Sequence, residues 1–156
     1  MATVETSVVV HAPLATLYAI AKDNRSFPLF MPDVKSLTVV EEDGNRVVSE
    51  WVGVIAAFNV KIRWTQEDVW DDDAHVCKFS QVKGDYDSMD GTWTFTEIRE
   101  GVTKFDSVLN YEYNVPLLGP LVGKVVHSLV IKNMDSVLET LKTRAEEAET
   151  AARKLL

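Results

Sequence analysis

The chain has 156 residues, 46% hydrophobic and 26% charged, a make-up that fits one globular domain spanning 1–156 with a sizeable core. Its net charge of −8, from 16 Lys and Arg against 24 Asp and Glu, argues against nucleic acid as a partner, because binding a phosphate backbone depends on clustered cations. One cysteine, Cys77, leaves no intrachain disulfide and fits a reducing compartment.

"MATVETSVVVHAP" has neither the basic start nor the apolar core of a signal peptide. Its β-branched run reads as a strand. "APLATLYAIAKDN" reads as a helix opened by Pro13, with Leu14, Leu17, Tyr18 and Ala21 at helical spacing. In "RSFPLFMPDV", Pro28 and Pro32 limit the chain to a short helical turn or a wide loop. From Val34 to Val115 the turn signals "EEDGNR", "AAF", "DDDAH", "GDYDSMDG" and "REGV" separate about six strands, the order of an antiparallel meander.

Alternation gives each strand two faces. Phe58, Val60, Ile62 and Trp64 share one, and Arg63 goes to the other. The same inner face should take Trp51, Cys77, Phe79, Gln81, Trp93, Phe95, Phe105, Ser107, Leu109, Tyr111 and Tyr113. It is strongly aromatic, and something must cover it.

The cover is a helix from about Leu121 to Leu155, whose stripe is Val126, Val130, Met134, Val137, Leu141, Ala145, Ala148 and Ala152. Val125, Leu129 and Ile131 make its first turns apolar over most of the circumference, so that end is expected to be the more enclosed. The connecting run Val115–Gly123 is apolar but punctuated by Pro116, Gly119, Pro120 and Gly123. It reads as a portal loop whose side chains, Leu118 and Val122 among them, seal a cavity. The longest apolar run, Val115–Val126, is broken by Lys124 and falls short of the ~20 residues of a spanning helix. A cytoplasmic protein is expected, with transient membrane contact and oligomeric state left open.

Several chemistries lack their motifs. His11, His75 and His127 stand singly, without metal-ligand spacing, and "DDDAHV" lacks the glycine and terminal glutamate of a calcium loop. The seven glycines form no phosphate cradle, and no nucleophile elbow occurs. No metal and no cofactor are expected. What remains is a mostly apolar face with a few polar groups, Gln81, Ser107, Tyr111 and Tyr113, which is the make-up of a ligand pocket.

"VVVHAPLATLYAIAKDNRSFPLFMPDVKSLTVVEEDG", "WTQEDVWDDD", "GTWTF" and "YEYNVPLLGPLVGKVV", in this order, resemble the polyketide cyclase/dehydrase and coenzyme-Q-binding START-like family. The resemblance implies an α+β helix-grip fold: a curved antiparallel sheet of about seven strands around a long C-terminal helix, with two short helices after the first strand. It also implies a deep hydrophobic cavity, used by some members for quinones or lipids and by others to fold polyketide chains. The residues expected to line it are Trp51, Trp64, Phe79, Gln81, Trp93, Phe95, Ser107, Tyr111, Tyr113, Leu118, Val122, Val126, Val130 and Met134. A non-catalytic carrier of a hydrophobic small molecule is the leading reading. The alternatives are an aromatase/cyclase or dehydratase with Tyr111 or Tyr113 as general acid, which an outward Arg63 weakens, and an acidic interaction module.

Overall fold

A computed structural model describes residues 1–55, 59–114 and 120–156, the side chains of 120–122 excepted. Phe58, Leu118 and residues 115–119 of the expected portal run thus lie outside the described residues, as does the side chain of Val122.

Strand β1 (Ala2–Val10) is followed by helix α1 (Leu14–Lys22), a 3-10 turn (Asn24–Ser26) and the short helix α2 (Phe27–Phe30). Pro13 precedes the first turn of α1, where its missing N–H costs nothing. Pro28 likewise sits in the first turn of α2. The meander then runs through β2 (Val34–Asp43), β3 (Arg46–Ile55), β4 (Val60–Asp71), β5 (Val76–Gly84), β6 (Ser88–Arg99) and β7 (Val102–Glu112), and helix α3 (Pro120–Lys154) ends the chain. "GDYDSMDG" is therefore only partly a turn, because β6 already begins at Ser88.

The seven strands are antiparallel in the order β1-β7-β6-β5-β4-β3-β2. The first strand pairs with the last, Ala2 opposite Tyr111 and Val10 opposite Thr103. Register shifts on β2 and between Thr65 and Gln66 mark bulges, which bend a sheet and strengthen its twist. The result is the helix-grip arrangement, a curved sheet with α3 lying across its concave face.

Two glycines permit close approaches that curvature demands. A Cβ on Gly91 would sit 2.3 Å from the Phe79 ring and 2.4 Å from the Val108 carbonyl oxygen. On Gly84, where φ is +149°, it would sit 2.5 Å from the Trp64 backbone. Gly91→Ala is accordingly expected to displace Phe79 and destabilise the protein by about 1–3 kcal/mol, measured by urea unfolding. An unchanged midpoint would mean that both the Phe79 ring and the β7 backbone at Val108 have room to move.

Helix α1 is tied down by one carboxylate. Asp72 accepts from the Tyr18 hydroxyl at 2.6 Å, from Lys22 at 3.1 Å and from the Asn45 amide at 2.9 Å. These donors, Tyr18 first, hold its carboxyl down to about 2. Beneath the clamp, Leu17, Phe105, Phe95 and Trp70 form one core with Leu138, Leu141 and Ala145 of α3.

That core corrects the expected helix stripe. Leu138, absent from the stripe, is fully buried, whereas Ala148 and Ala152 are exposed. The deepest part of α3 is Leu138–Ala145, packed toward β1 and α1. The first turns are not the more enclosed end, since Val125 is 44% and Ile131 39% exposed. No described helix is long and apolar enough to cross a membrane.

Candidate functional site

Above the other half of the sheet, a cavity of about 440 Å³ opens between the strands and α3. Its floor comes from strand alternation. Strand β4 contributes Ile62, Trp64, Gln66, Asp68 and Trp70, one residue in two, while β3 adds Trp51 and Gly53, β5 Cys77 and Phe79, β6 Met89 and Trp93, and β7 Leu109. Asn24, Phe27 and Met31 wall one side, and Val126, Leu129, Val130, Asn133, Met134 and Val137 of α3 form the roof. The size lies in the range of small-molecule sites, as does the predominance of apolar lining.

The aromatic walls are fixed by mutual packing. Trp51 and Trp64, directly opposite on β3 and β4, stack at 5.5 Å between ring centroids with planes 14° apart. Tyr86 meets Trp64 edge-on at 5.5 Å, and Phe27 touches both Trp51 and Trp93 at 6.1 and 6.4 Å. Phe79 stands edge-on to Trp93 at 6.1 Å. Trp64 and Trp93 thus belong to one inner surface.

Through the apolar floor runs a polar chain. The Trp64 indole N–H donates to Gln66 Oε1 at 3.0 Å, Gln66 Nε2 donates to Asp68 Oδ1 at 2.7 Å, and Asn24 Nδ2 reaches Asp68 Oδ2 at 3.3 Å. Asp68 is only 4% exposed and has no salt-bridge partner among the described residues. Burial pushes its carboxyl up to about 6, against the pull of its two amide donors. Burial, with the Asp68 charge nearby, also pushes the Cys77 thiol up. Cys77 is therefore an inert thiol, not a nucleophile.

Of the expected lining residues, Trp51, Trp64, Phe79, Trp93, Val126, Val130 and Met134 border the cavity. Five others do not, although each has the inward parity. Phe95 stacks on Phe105 at 4.6 Å and on Tyr18 at 5.4 Å, where α1 covers the sheet. Ser107 is buried with no partner for its hydroxyl among the described residues. Gln81, beside the β5 bulge, spends its amide on the backbone N–H and carbonyl of Tyr86 at 3.2 and 2.9 Å. The Tyr111 hydroxyl pairs with His127 Nδ1 at 2.8 Å, and Tyr113 packs edge-on to Tyr86 at 5.7 Å. Burial raises both tyrosines above the usual phenol range. Arg63 is exposed.

Sequence reasoning missed Gln66 and Asp68, though the two-residue period of β4 runs straight through them from Trp64 to Trp70. Tyr86, Asn24, Phe27 and Met31 were missed too, and carry no periodic signal because they sit in connectors or in helical pieces too short to show one. Among the described residues no group of three or more His, Cys, Asp or Glu side chains is gathered as for a metal ion.

The family model for polyketide cyclase/dehydrase and lipid transport matches residues 10–137. A protein of Thermus thermophilus is 34% identical, with a TM-score of 0.87 over 94% of this chain and 99% of that one. The Zhui aromatase/cyclase of Streptomyces sp. R1128 is 17% identical, with a TM-score of 0.82 over 93% of each chain. A START superfamily protein of Mycobacterium smegmatis is 16% identical, with a TM-score of 0.75 over 94% and 98%. The last two likenesses speak to fold alone. Among functionally curated proteins none matches the chain.

Proposed function

The chain belongs to the polyketide cyclase/dehydrase and lipid transport family, and from that premise we propose that it binds a hydrophobic small molecule between the curved sheet and α3. The ligand class is an isoprenoid quinone, a lipid or a polyketide-like aromatic, held by a carrier or chaperone. One observation carries the reading: a cavity of about 440 Å³ walled by Trp51, Trp64, Phe79 and Trp93 under the apolar side of α3. A plain core would have closed this space, because interiors pack as densely as organic crystals and voids are few.

A second reading, a cyclase or dehydratase, is favoured by Asp68. A carboxyl in an apolar wall whose pKa is raised to about 6 could take a proton from the carbon beside a ketone and return it to a departing hydroxyl. Tyr111 and Tyr113 stand outside the cavity lining, Tyr111 hydrogen-bonded to His127 and Tyr113 packed on the Tyr86 ring.

Native mass spectrometry of the purified protein, with solvent extraction, separates the readings. A co-purifying apolar molecule at about one per chain is expected for the carrier. Absence of any such adduct, together with failure of an added naphthalene-type probe to quench tryptophan fluorescence saturably, would sink it. Dehydration of a β-hydroxyketone by the protein, lost on Asp68→Asn, would move the weight to the enzyme.

A further inference from the structure

Hydrogen-bond accounting around Asp68 narrows the ligand class, on the premise that the cavity binds an apolar molecule as proposed above. An ionised carboxylate offers about four acceptor positions. Asp68 has two donors, the Gln66 amide at 2.7 Å and the Asn24 amide at the long distance of 3.3 Å, and no cation within ion-pairing distance among the described residues. The Gln66 side chain is oriented by the Trp64 indole, which donates to its carbonyl oxygen and leaves the amide nitrogen turned to Asp68. Asp68 thus borders the cavity with acceptor capacity unspent in a wall that is otherwise largely hydrocarbon and indole.

We infer that Asp68 reads a hydroxyl: the cavity selects flat, apolar ligands bearing a phenolic or enolic O–H, which donates to the Asp68 carboxylate while the ring lies among Trp51, Trp64 and Phe27. A ligand that carries a carbonyl or ether oxygen at that point presents lone pairs to lone pairs and is disfavoured while Asp68 is ionised. Protonation reverses the preference, since a carboxylic acid can donate to a carbonyl. The same skeleton presenting a hydroxyl or a carbonyl at that point would therefore be sorted by pH.

The charged and titratable groups around Asp68 are few. Glu67 is on its own strand, Cys77 lies on β5 with Lys22 of α1 near it, Tyr86 borders the cavity beyond β5, and Asp33 and the exposed Lys132 are the other charged residues of the wall. Burial raises both Cys77 and Tyr86, so neither titrates between pH 5 and 8. The Asp68 carboxyl, pushed to about 6, does.

The test uses matched probes on the full chain, 2-naphthol against 2-methoxynaphthalene, followed by quenching of tryptophan fluorescence between pH 5 and 8. At pH 8 the wild type should bind 2-naphthol about tenfold or more tightly than its methyl ether, the worth of a hydrogen bond to a charged group. The preference should shrink as pH falls through about 6, and Asp68→Asn should remove its pH dependence. The wild-type titration stands on its own if the variant folds poorly. Equal affinity for the two probes at pH 8 overturns the hydroxyl-reading site and leaves the hydrophobic cavity standing. Failure of both probes to bind at any pH overturns the cavity reading as well.

Discussion

Val130→Asp is expected to cost the protein its apolar ligand while leaving the fold intact. Val130 borders the cavity from α3 and packs beside Met134 against the cluster that contains Val4, Phe79 and Tyr111. It is only half-buried, so the helix tolerates a smaller, charged side chain there. Ligand occupancy is what makes the substitution severe, because closing an apolar molecule over the new carboxylate strips its water without offering a donor. That desolvation costs several kcal/mol, on the order of a hundredfold or more in affinity. Ile131→Asp is the matched control: one residue along, 39% exposed and outside the lining, it should leave binding within about threefold, as a solvated surface change does. Probe titration at pH 8, with circular dichroism to confirm helix content, decides. Equal binding by Val130→Asp and the wild type would mean that α3 is not the roof of the site.

The order of elements was legible because their periods are unambiguous: the strand–helix–meander–helix sequence follows from β-branched runs, turn signals and a 3.6-residue stripe. Parity also placed Trp51, Trp64, Phe79 and Trp93 on one face. What parity does not give is depth along that face. Phe95 and Trp93 share a strand and a side, yet α1 covers the first and leaves the second beside the cavity. Tyr111 and Ser107 share the inward parity as well, yet Tyr111 meets His127 of α3 and neither borders the cavity. Asp68 was lost differently: within "TQEDVW" the charges suggest a solvated face, although the alternation from Trp64 to Trp70 sends Gln66 and Asp68 inward. Period should have outranked polarity. The helix stripe erred at its C-terminal end, since a 35-residue helix is roughly 50 Å long and carries Ala148 and Ala152 into solvent.

The buried carboxyl that sequence polarity hid should also leave a thermodynamic mark. Asp68 is raised from 3.8 to about 6 because burial penalises its charge more than the Gln66 and Asn24 donors recover. Between those values the folded chain holds a proton that the unfolded chain has released, and stability falls wherever the native state binds more protons. Below about 4 both states are protonated and Asp68 exerts no penalty; above about 6 both are ionised and the penalty is complete, on the order of 2–3 kcal/mol. Asp72 titrates with the opposite sign: held down to about 2, it favours folding above its ordinary range and loses that contribution as pH falls. Because other groups add to either curve, the difference between wild type and Asp68→Asn isolates the one carboxyl. The amide keeps an acceptor for Gln66 and has no charge to desolvate. Urea unfolding at pH 4, 6 and 8 should therefore give a stability difference that grows in the variant's favour by about 2–3 kcal/mol from the lowest to the highest pH. Parallel curves would mean that Asp68 is hydrated in the folded protein, and with it the hydroxyl-reading wall would lose its unspent acceptor.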